Sequence, residues 1–142
     1  AVLSGADLSG AVLSGAVLSD ADLRDADLSG AVLNCPVKIE NIHQKVFDAA
    51  SQPGALDMGS WHKDDNFCGT THCRAGHVVV LAGDAGRALE WAMGTPAAAT
   101  MIYLASDPTL ERVPDFYCDN ETAMDDMKRL AELEAERSKE SA

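Results

Sequence analysis

The side chains most able to do chemistry are crowded into Trp61-His62-Lys63-Asp64-Asp65-Asn66-Phe67-Cys68-Gly69-Thr70-Thr71-His72-Cys73-Arg74-Ala75-Gly76-His77, which holds three of the four histidines and two of the four cysteines. Three chemistries fit this pattern. The first is nucleophilic. If Thr70 or Thr71 caps a helix, Cys73 falls in its first turn, where free N–H groups and the helix dipole favour a thiolate. His62, in the preceding loop, then reaches back as the base. The second is a zinc site with donors from Cys68, Cys73, His77 and His62, since Cys73 and His77 are four apart and share a helical face. The Cys-x4-Cys spacing departs from standard finger patterns. The third is structural: Cys73, His77, Val80 and Leu81 make one apolar stripe, and an unpaired cysteine is commonly a small buried hydrophobe. Gly76 then permits close helix packing. The structural reading is the expectation taken forward, with no cofactor required. Arg74 and His72 point away from the stripe and are expected in solvent, as is His43.

Elements that could position this segment follow from periodicity and punctuation. Ile39, Ile42, Val46, Phe47 and Ala50 recur at helical spacing until Gln52-Pro53-Gly54 stops them. A long loop over 53–69 carries Trp61, His62 and Cys68. A second helix runs to about Leu81 with Gly83 as its stop, and a third from Asp84 to Met93 ends at Gly94. Thr95-Pro96 opens a fourth helix to about Ala105. After a loop over 107–119, Asp119 or Asn120 caps a fifth, whose apolar face is Met124, Met127, Leu130, Ala131 and Leu133. The terminal EAERSKESA is expected to fray. The five methionines read as core filler. Residues 36–142 are thus predicted to form a small all-α domain of about five helices without strands.

Composition narrows the partners. The 142 residues carry a formal net charge of −12 and 46% hydrophobic residues. The acidity is spread along the chain, which disfavours contact with nucleic-acid phosphates and anionic membranes. No apolar run is long enough to span a bilayer. No Gly-rich phosphate loop, paired-carboxylate motif or Ser-His-Asp arrangement is visible. With no secretory signal and only four cysteines, a cytoplasmic location with free or metal-bound thiols is expected.

The first 35 residues have a different logic. They read AVLSG, ADLSG, AVLSG, AVLSD, ADLRD, ADLSG, AVLNC, with Ala opening each unit and Leu at its third position. A period of five matches neither helix nor strand. Short fixed periods mark solenoids, whose units bury apolar side chains by stacking. The strict pattern resembles the pentapeptide-repeat family. That resemblance implies a right-handed quadrilateral β-helix over 1–35, one pentapeptide per side and four per coil. Some members of the family mimic DNA and bind topoisomerases, but fewer than two coils are too short for that here. A stack this short needs neighbours, so the open coil is expected to meet either further repeats upstream or a second copy. Cys-Gly-Thr followed by Cys-x-Ala-Gly is similar to segments of small phage and prophage proteins, a likeness that assigns no residue roles. Together these features predict a non-enzymatic binding or assembly protein that self-associates through its solenoid. A small Cys-dependent enzyme or zinc module centred on Trp61–His77 is the alternative.

Overall fold

A computed structural model describes residues 37–63, 69–110 and 112–140; the repeats and Cys68 lie outside them. Within this range the chain forms five helices: α1 (Ile42–Ala50), α2 (Arg74–Leu81), α3 (Gly83–Met93), α4 (Thr95–Ser106) and α5 (Asn120–Glu140). Their order and type match the periodicity. Glycines mark the boundaries as anticipated, with Gly83 and Gly94 both at positive φ (68° and 87°), where a Cβ is disfavoured. No strand forms among the described residues, only isolated bridges that pair Leu56 and His62 with His72.

α4 is the axis. Its TPAAATMIYLAS sequence has no charged residue and many small ones, so the helix is buried almost all round from Thr95 to Leu104. α2 and α3 pack on it, while α1 packs against α2 and α5. α5 contributes Ala123, Met127, Leu130 and Ala131, a single stripe at helical spacing. Leu133, expected on that stripe, is 43% exposed, because it lies at the outer edge of the stripe, about 60° beyond Leu130 on the side away from Ala131.

α5 continues to Glu140, into the segment expected to fray. Glu134 receives the backbone N–H groups of His43 (3.1 Å) and Gln44 (3.0 Å) at the start of α1. α1 has no side-chain cap of its own, and Asn41 before it sits in the left-handed region. A carboxylate from a distant helix therefore satisfies its orphan donors and meets its positive end. Arg137 adds contacts to Asp107 and Thr109.

His43 is not a surface residue. It is 2% exposed, its Nε2 lies 2.7 Å from Asp107 Oδ2, and its ring stacks on Tyr103 at 5.7 Å. Burial alone would raise the Asp107 carboxyl, but hydrogen bonds from His43, Thr109 and Arg137 outweigh it and hold the group well below the usual carboxylate range. Removing one partner of such a pair strands the other. Asp107→Ala is therefore expected to destabilise the domain by about 3 kcal/mol in urea unfolding at pH 7; a loss under about 1 kcal/mol would mean the pair is not a structural tie.

Candidate functional site

The candidate segment is held by backbone pairing. Residues 71–73 run extended between two stretches of the preceding loop. His72 N–H donates to Ala55 O and Asp57 N–H to His72 O, both at 3.0 Å, while Cys73 N–H reaches Ser60 O at 2.9 Å and Lys63 N–H reaches Thr71 O at 3.0 Å. Thr71 Oγ1 donates to Gly54 O. α2 consequently starts later than a cap at Thr70 or Thr71 would place it. Cys73 itself is the N-cap, its Sγ accepting from Gly76 N–H at 3.3 Å. Gly76 is required by close approach, but to the loop rather than to a helix: a Cβ there would meet Trp61 O at 1.9 Å.

Cys73 is fully buried. Burial pushes its thiol up to about 11, against the opposing pull of the Gly76 and Ala75 N–H groups. Desolvation thus opposes the thiolate that the nucleophilic reading requires, and the net direction is upward. His62 turns to other partners. Its Nδ1 lies 2.8 Å from His72 Nδ1 and its Nε2 lies 2.5 Å from Glu90 Oε2. His72 Nε2–H donates to Gly69 O at 2.7 Å, which leaves its Nδ1 facing His62. His77 Nε2–H donates to Ala55 O at 2.6 Å. The three rings stack edge to face in a row, with centroids 4.9 and 5.0 Å apart. Burial lowers the pKa of both His72 and His77. Among the described residues, no group of three or more His, Cys, Asp or Glu side chains is placed to hold a metal, and Cys68 lies outside them.

Two expectations are corrected. Arg74 and His72, expected in solvent, are each 1% exposed, whereas Leu81 of the proposed stripe is 37% exposed. α2 is buried on nearly every side, so its polar residues are carried inward and must find partners. Arg74 Nη1 donates to Asp126 at 2.6 Å and Nε to Tyr103 Oη at 2.9 Å. Its Nη2 has no hydrogen-bond partner among the described residues.

The histidine row opens onto a cleft of about 900 Å³ between the loop at 58–62, the last turns of α3 and the segment at 116–117. Its walls include Trp61, Trp91 and Tyr117, with Glu90 and His62 at one side. Trp61 and Tyr117 meet edge to face at 5.5 Å, and Trp91 is 93% exposed. Glu90, Trp91 and Tyr117 were not among the candidates. Trp91 gave a partial signal, as an aromatic between a charged residue and a helix end, but only the tertiary fold brings the three together.

Comparison with known families adds one result. The family model described as pentapeptide repeats (8 copies) matches residues 1–34. The N-terminus is a pentapeptide-repeat segment. No curated protein and no solved structure matches the chain. The pentapeptide-repeat segment makes this a repeat protein, and no described helix is long and apolar enough to cross a membrane.

Two outcomes are expected from the site. Iodoacetamide at pH 8 should label half-buried Cys118 in the native protein and Cys73 only on unfolding, followed by peptide mass spectrometry; rapid native labelling of Cys73 would restore the nucleophile. The histidines predict acid sensitivity. The folded pKa values of His72 and His77 lie below the unfolded value of about 6.5, so the stability these two contribute is complete above that pH and is lost as pH falls through the folded values. The urea midpoint should therefore drop between pH 7.5 and 5, and His77→Gln should flatten the dependence.

Proposed function

We propose that this chain is a non-enzymatic binding and assembly protein, in which pentapeptide repeats over 1–35 form a right-handed quadrilateral β-helix and residues 36–142 form a helical cap. The observation that carries the reading is the unbroken Ala and Leu period, matched by the family model over 1–34. A Leu column in strict phase is a stacking surface, because each unit can bury its apolar side chains only against a neighbour. A coil face is buried only by another coil or by another chain, and the proposed partner is a second copy. The cap would close the other end against strand addition. The buried, capping thiol of Cys73 favours a structural role for the Cys/His segment over catalysis. A cytoplasmic location suits unpaired thiols.

Native mass spectrometry with metal analysis is the test. A dimer or higher assembly without bound zinc is expected, and Leu13→Asp should dissociate it by placing an unpaired charge on the apolar axis. A monomer unaffected by Leu13→Asp would overturn the assembly reading. Stoichiometric zinc whose chelation unfolds the helical domain would promote the metal module in its place.

A further inference from the structure

We infer that the Trp61–Trp91–Tyr117 cleft is a docking pocket for a cationic side chain, a lysine ammonium or arginine guanidinium presented by a basic partner protein. It would be a second contact surface of the binding protein proposed above. Three observations lead there. The cleft brings aromatic groups together at the surface instead of in the core: Trp91 is 93% and Tyr117 45% exposed, and Trp61 packs on Tyr117. Aromatic faces carry negative potential and hold cations that are at least partly desolvated. Tryptophan and tyrosine also dominate the energetics of interfaces.

The cleft also contains a prepositioned carboxylate. Glu90 Oε2 accepts from His62 Nε2 (2.5 Å) and from Thr95 Oγ1 (2.9 Å). Both contacts converge on one oxygen, so the rotamer is fixed while Oε1 has no hydrogen-bond donor among the described residues. An arriving N–H⁺ group would find an acceptor whose orientation has already been set. Arg87, also in the lining, is engaged in a contact of its own. The net charge of −12 supplies the complementary long-range field.

The third observation is position. Chain from the repeats comes in at the C-terminal end of α4, where Ile39 N–H donates to Ser106 Oγ at 2.8 Å. The cleft lies at the N-terminal end of the same helix, where Thr95 binds Glu90. Twelve helical residues separate these ends, about 18 Å at 1.5 Å per residue. A partner held in the cleft would sit at the opposite pole from the point where the repeat segment joins.

The test is an NMR titration of the full chain with a hexalysine amide and, separately, with its fully Nζ-acetylated analogue and methyl β-glucoside. Saturable shifts of the Trp61 and Trp91 indole N–H signals are expected with hexalysine only. Trp91→Ala and Glu90→Gln should each weaken binding by about fivefold. Trp91 is exposed, so its removal leaves the core intact. Equal binding of the acetylated peptide, or indole shifts with the glucoside, would overturn the cation assignment. Hexalysine binding with unmoved indoles would mean that the general acidic field acts alone, and would equally overturn it. Assembly mass is read separately: a dimer that persists without hexalysine binding refutes the pocket alone, whereas hexalysine binding by a monomer refutes solenoid assembly alone.

Discussion

Arg74 ties three helices together at the point where the candidate segment becomes a helix. It is the first residue of α2, it is 1% exposed, and its guanidinium reaches Tyr103 on α4 and Asp126 on α5. It also lies over the Tyr103 ring at 5.3 Å. Burying a guanidinium costs several kcal/mol of hydration, recovered only through well-placed partners. The start of α2 is therefore tied to α4 and α5, and the extended strip 71–73 must enter between the two loop stretches that pair with it. Cys73, His72 and His77 acquire their environments from that constraint, and through His62 so does Glu90.

A second buried polar system sits beside it, at the C-terminal end of α4. His43 and Asp107 pair beneath Tyr103, Arg137 and Thr109 close over Asp107, and Glu134 caps α1. Tyr103 contacts both systems, bonding Arg74 and stacking on His43. The domain thus has an apolar axis with polar ties at the end where chain from the repeats joins and an aromatic cleft at the other. Such ties cost desolvation but penalise alternative packings, in which a buried charge would lose its partner.

Cys73 illustrates how two legitimate principles compete. A helix N-terminus favours a thiolate, and Gly76 N–H does reach the sulfur. Complete burial favours the thiol, and the net direction is upward. Dipole effects near helix ends amount to about 1 kcal/mol and weaken quickly with geometry, whereas loss of hydration acts on the whole charge. The sulfur therefore serves as a cap, satisfying a donor that would otherwise be orphaned. Its place in the sequence allowed either result, since spacing cannot report solvent access.

Local sequence determined the elements that depend on local physics. Helix periodicity, the glycine stops at 83 and 94 and the Thr95-Pro96 start all act within a few residues, so α1 to α5 could be read directly. The pentapeptide period was legible for the same reason, as strict phase in one stretch of chain. Which polar residues lie inside was decided by the tertiary structure. His43, His72 and Arg74 resemble surface residues until the C-terminal end of α4, α5 and the loop at 55–62 cover them with Asp107, Asp126 and backbone partners. The cleft has the same origin: Trp61, Glu90, Trp91 and Tyr117 come from three separate stretches of chain. No local pattern links them, because their proximity depends on α4 separating the two poles and on strip 71–73 drawing the loop against α2.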